Sequence, residues 1–136
     1  MAYCAVMLWL LFDRPAAEGP YWEQIRESLN LVPLRTLRLF AGLLDDHRPQ
    51  LVRAAVVNLA GNVVMFLPPG LLLPAVRRKT TLTGLLLTCG GIIAIIEILQ
   101  LFTLRGSCDV DDLLLNLLGI AMGYGLYQLL NKRTNA

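Results

Sequence analysis

Three long apolar stretches dominate the chain: Leu51–Pro69, Thr81–Leu104 and Leu113–Leu130, with Arg53 and Glu97 the only charged residues inside them. A helix that crosses a bilayer needs about 20 mostly apolar residues. In hydrocarbon the backbone must satisfy its own hydrogen bonds, so each stretch predicts a spanning helix rather than a strand. A fourth run, Ala2–Phe12, would rise only about 16 Å as a helix, too short to cross unaided. It reads either as the remnant of a longer span or as a short first span helped by local thinning of the bilayer. A signal peptide fits less well, because no basic residue precedes the run and no small-residue cleavage site closes it.

Between Asp13 and Gln50 the pattern changes. Tyr21-Trp22 has the character of an interfacial anchor, since amphipathic rings settle at headgroup level. Trp22, Ile25 and Leu29 recur at helical spacing opposite Glu23, Arg26 and Glu27; after Pro33, Leu34, Leu37, Phe40 and Leu44 alternate with Arg35 and Arg38. Two short amphipathic helices follow, either lying on the membrane surface or folded as a cap against the bundle. Pro68 and Pro69 remove two amide donors, so the second span is expected to end or kink there. The expected fold is all-α: a polytopic transmembrane helical bundle in one domain over residues 1–136. It has three spans, a short N-terminal fourth, and amphipathic interfacial helices between the first and second.

Charge sets an orientation. Arg77, Arg78 and Lys79 sit in a short loop, where the positive-inside rule is most trustworthy, so that loop and the C-terminal Lys132 and Arg133 are placed in the cytoplasm. The loop Arg105–Asp112 and the long Asp13–Gln50 segment then face outward. The expected arrangement is multi-pass in a cytoplasmic membrane.

Composition agrees: 56% of residues are hydrophobic and only 16% charged, against about 25% charged in soluble domains. A net charge of +2 makes no case for nucleic acid. Cys4, Cys89 and Cys108 have no metal-site spacing, and His47 lies in a charged loop (Asp45-Asp46-His47-Arg48) that reads as solvated surface. No cofactor and no metal site is expected, and no Ser/His or Cys/His pair signals an enzyme.

The polar residues inside the spans are the informative ones, because they are costly there. Asn58 and Asn62 are four apart, Glu97 and Gln100 three apart, and Asp112 and Asn116 four apart, so each pair shares a helix face. Gly119 and Gly123 continue the last face as a small-xxx-small step that admits a close helix, in the same chain or in a second copy. Asn58 lies seven residues past Leu51, Glu97 seven before Leu104 and Asn116 six past Val110, which puts each about 10 Å from the same end of the bundle. With Arg105, Asp109 and Asp111 in the outward loop, three helices and a loop converge on one polar pocket. The amides would also serve simply as interhelical glue, at about 0.6–2 kcal/mol per hydrogen bond. Glu97 fits that reading less well, since no basic residue stands near it in its own helix.

These residues resemble the VanZ-like family of bacterial membrane proteins. The resemblance rests on Asn30-Leu31-Val32-Pro33, on Asn58-x-x-x-Asn62-x-x-x-Phe66-x-Pro68-x-Gly70, and on Glu97-x-x-Gln100 with Arg105. It continues through Asp109-x-x-Asp112-x-x-x-Asn116-x-x-Gly119 and covers most of the chain. Leu34 stands where an aromatic residue often follows the Asn-Leu-Val-Pro segment. The family's founding member is associated with resistance to the glycopeptide teicoplanin, so the resemblance implies a helical bundle with a role at the cell envelope.

Three functions compete. The first is an envelope protein whose outward pocket of Asn58, Asn62, Glu97, Gln100, Arg105, Asp109, Asp112 and Asn116 binds a lipid-linked wall precursor, a lipid headgroup or a glycopeptide antibiotic. Arg105 would offer its planar fork to a phosphate or carboxylate. The second is an intramembrane metal-dependent enzyme acting on a lipid or wall precursor, with Glu97 as general base and Asp109, Asp111 and Asp112 around a hard cation. The third is a small transporter or lipid flippase, which would need an oligomer built through Gly119 and Gly123.

Overall fold

The computed structural model describes residues 19–43, 49–77 and 79–134, together with Tyr3, Val6, Met7 and Trp9. Helix α1 is Tyr21–Glu27, strand β1 Leu29–Asn30, α2 Arg35–Leu43, α3 Pro49–Val76, α4 Leu82–Phe102, β2 Cys108–Asp109 and α5 Val110–Thr134. Among the described residues, α3, α4 and the Val110–Lys132 part of α5 are long and apolar enough to cross a membrane. Tyr3, Val6, Met7 and Trp9 are helical. The rest of the 2–12 run, Cys4, His47 and Arg78 lie outside the described residues.

The second span does not end at Pro68-Pro69: α3 runs as one helix through Pro68, Pro69 and Pro74 to Val76. A proline ring removes the amide that would bond the carbonyl four residues earlier, so Pro69 leaves the Met65 carbonyl without its helical donor. The hydroxyl of Tyr3 donates to that carbonyl instead.

Helix α5 packs along α3 with the two backbones in direct apposition. A Cβ added at Gly119 would sit 2.2 Å from the Val63 carbonyl oxygen, and one at Gly123 2.1 Å from that of Leu67. From the other side, a Cβ on Gly70 would lie 2.1 Å from the Ile120 carbonyl oxygen. Gly119 and Gly123 thus receive a helix of the same chain, α3. Helix α4 packs on α5, whereas α3 and α4, though consecutive, barely touch. A core of Phe66, Leu85, Cys89, Ile93 and Ile120 fills the interior, with Met7 packed against it. Leu87, Ile95, Val64 and Leu129 point outward, as a lipid-facing surface requires.

The interfacial segment is tied to the bundle at one end. The Tyr21 hydroxyl donates to the Phe102 carbonyl at 3.1 Å. Strands β1 and β2 pair in parallel, Leu29 with Cys108 and Asn30 with Asp109. Trp22 and Leu39 stay exposed. The segment thus forms a cap pinned to the bundle that keeps an apolar flank outside, combining features of both arrangements the periodicity allowed.

Candidate functional site

The end of α4 is shaped by a left-handed residue. Leu104 has φ 54°, and the turn closes with Leu104 N–H on the Leu101 carbonyl at 3.1 Å and Arg105 N–H on the Gln100 carbonyl at 3.0 Å. These are the paired bonds of a Schellman stop, with leucine where glycine is usual. The chain then folds back over Gln100 (a Cβ on Gly106 would lie 3.1 Å from its Cβ), bringing Ser107 over the mouth of a cavity.

That cavity, about 40 Å³, is lined by Asn62, Glu97, Gln100, Ser107, Asp112 and Asn116 over an apolar floor of Phe66, Ile93 and Ile96. Asn62 donates from Nδ2 to Asp112 Oδ1 at 2.5 Å, joining α3 to α5. Glu97 is 6% exposed and Asn116 5% exposed. Glu97 Oε1 and Asn116 Oδ1 have no hydrogen-bond partner among the described residues. Buried polar atoms are paired in the great majority of cases, so two orphans on residues that line one cavity call for an occupant. A volume of this size holds a few water molecules or one small polar group, not a whole headgroup.

Five expected residues therefore meet: Asn62, Glu97, Gln100, Asp112 and Asn116. Three do not join them. Asn58 is exposed on α3, one turn nearer the helix start. Arg105 is exposed at the same end of the bundle but outside the cavity lining. Asp109 is turned away: its carboxylate accepts from Asn30 Nδ2 at 2.9 Å, from Thr36 Oγ1 at 2.8 Å and from the Asp111 amide at 2.8 Å.

Asp111 completes the same clasp. Its fully buried carboxylate accepts from the Leu34 amide at 2.5 Å and the Thr36 amide at 2.8 Å, capping the start of α2 from across the fold. Such a cap satisfies amides that a helix cannot pair internally. It also holds Leu34 at φ 63°, a conformation leucine rarely adopts. Asp109 and Asp111 thus meet in the clasp on Thr36, whereas Asp112 turns to Asn62, so the three carboxylates do not share one site. Among the described residues no group of three or more His, Cys, Asp or Glu side chains is placed to hold a metal ion.

Beside the cavity, Cys108 Sγ lies 4.0 Å from Glu97 Oε2. Burial pushes the Cys108 thiol pKa up, and the Glu97 and Asp109 carboxylates push it further the same way. Cys108, Ser107, Asn30 and Thr36 were not singled out in the sequence as site residues. The Asn30-Leu31-Val32-Pro33 segment was part of the resemblance, and its role in the clasp gives that segment a physical meaning.

The model of the VanZ/LLP1 family matches residues 1–131. The chain belongs to the VanZ/LLP1 family. No curated protein and no solved structure gives a significant match. Family membership and the three spanning helices make this VanZ/LLP1 chain a multi-pass membrane protein of VanZ-like envelope type. The residues that carried the resemblance divide into the cavity, the clasp and the α3–α5 glycine contact.

Proposed function

We propose that the cavity is a binding site for the donor-bearing tip, a primary ammonium or hydroxyl, of a lipid-linked envelope molecule. The observation that carries this reading is the pair of orphaned acceptors, Glu97 Oε1 and Asn116 Oδ1, on two residues that line one small space with Asp112. A cavity with two carboxylates and unpaired acceptor oxygens favours a guest that donates hydrogen bonds or carries positive charge. This shifts the ligand chemistry from the anion expected at Arg105 to a donor held by Glu97 and Asn116. Arg105, exposed at the same end, would meet a phosphate of the same guest at the membrane surface.

In this reading the Arg105–Asp112 side faces outward and the Arg77–Lys79 turn faces the cytoplasm. The guest is a lipid headgroup, a wall precursor or the amino-bearing part of a glycopeptide, and sequestering it would contribute to teicoplanin resistance. The test is native mass spectrometry of the purified protein with phosphatidylethanolamine against phosphatidylcholine, whose quaternary ammonium has no N–H to donate. Preferential retention of phosphatidylethanolamine, lost in Glu97→Gln, is the expected result. Equal retention of both lipids, or an undiminished preference in Glu97→Gln, would overturn it. In cells, Glu97→Gln should abolish any resistance phenotype at unchanged membrane abundance.

A further inference from the structure

The opposite end of the bundle carries a second, larger space. Helices α3 and α4 are joined by the 77–81 turn, yet they diverge instead of packing, because α5 takes the close contacts with α3. The result is a groove of about 680 Å³ between them. Its walls are divided by polarity: Leu73, Leu85 and Ile92 run along the spans, whereas Arg77, Lys79 and Thr81 stand at the mouth. Tyr3 meets α3 at Met65, and the groove begins at Leu73, about 12 Å further along the helix.

We propose that this groove binds one anionic phospholipid, independently of the polar cavity. An apolar trough along two spanning helices is filled by hydrocarbon in a bilayer, and a trough that ends in two cations at headgroup level selects a negative head. The phosphate would sit between Arg77 and Lys79 at the N-terminus of the 21-residue α4. There the helix dipole also favours an anion, although the Thr81 hydroxyl already caps the Gly84 amide. An acyl chain would follow Leu73 and Ile92, which are both exposed. The division of the lining into a cationic mouth and an apolar trough favours a lipid over a protein helix as occupant.

The experiment is native mass spectrometry of the full chain extracted from vesicles of equal parts phosphatidylglycerol and phosphatidylcholine. The wild type should retain one phosphatidylglycerol in preference to phosphatidylcholine, and Arg77→Gln with Lys79→Gln should cut that preference about tenfold. Thr88→Leu, which narrows the trough without touching a charge, should lower retention of both lipids. No phosphatidylglycerol preference, or one unaffected by the charge variant, would refute the proposal. So would displacement of the lipid by inorganic phosphate alone, which would mark a free-anion site, or a crosslink placing a second copy in the groove. The comparison is repeated in Glu97→Gln, so that glycerol hydroxyls held in the polar cavity do not count; loss of the whole phosphatidylglycerol preference in that variant would refute the groove as its site.

Discussion

Tyr3 gives its hydroxyl proton to the carbonyl of Met65, the one that Pro69 deprives of an amide. This bond couples the short N-terminal helix to the point in α3 where a break would otherwise be expected. Tyr3→Phe should destabilise the protein by about 1 kcal/mol, the low end for an unpaired group because Tyr3 is partly exposed. Pro69→Ala restores the missing amide, so Tyr3→Phe should cost measurably less in that background. A double-mutant cycle by denaturant unfolding in detergent reads the difference, and strict additivity would show that the hydroxyl does not substitute for the amide.

The α3–α5 contact makes a sharper prediction. Gly119→Ala or Gly123→Ala drives a methyl group into a carbonyl oxygen that belongs to backbone and cannot rotate away. Each should cost about 1–3 kcal/mol, with the helices forced apart. Gly125→Ala is the control: nothing lies within 4 Å of a Cβ there, so the change should be neutral or gain a few tenths to 1 kcal/mol of helix propensity. Thermal unfolding of the three variants side by side separates the two cases. Equal behaviour would remove the close apposition.

Asp111→Asn should loosen the interfacial cap without dissolving the bundle. The amide keeps one carbonyl oxygen but cannot accept from both Leu34 and Thr36, and its NH₂ group would face a donor. The expected loss is about 1–3 kcal/mol, confined to the segment around β1 and α2. Hydrogen exchange should show faster exchange at the Leu34 and Thr36 amides while α5 stays protected. A uniform loss of protection would make Asp111 part of the core instead.

These cases also show which parts of the fold sequence pattern can reveal. The three spans and the shared depth of Glu97 and Asn116 are legible because helical period fixes faces and rise fixes depth, but the same depth argument takes Asn58 as their partner on α3, one turn from the Asn62 that lines the cavity. Asn58 and Asn62 share a face, but period does not say at which turn the neighbouring helix closes over it; the cavity opens at Asn62. The clasp was hidden because its partners, Asn30 and Thr36 with Asp109 and Asp111, lie more than 70 residues apart. An acidic helix start is ordinarily explained by the helix dipole, which masked a cap donated to a different helix. The continuity of α3 was hidden for a related reason, since Tyr3 is too remote to suggest a donor for Met65.

Cys108 supplies a pH-dependent readout of the cavity wall. Only the thiolate is alkylated, and burial together with the Glu97 and Asp109 carboxylates holds its pKa above the ordinary thiol value. A raised pKa means less thiolate at a given pH, so iodoacetamide labelling of Cys108 at pH ~8 should be slower than that of a free cysteine. The rate should still be climbing at pH ~10, where the free thiol has levelled off. Glu97→Gln removes one repelling carboxylate and leaves the burial, so the profile should move partway back toward lower pH. Peptide-resolved mass spectrometry separates Cys108 from the buried Cys89. A profile that levels off at or below the free-thiol range, or one that Glu97→Gln leaves in place, would show that Glu97 does not bear on the thiol across their 4.0 Å contact.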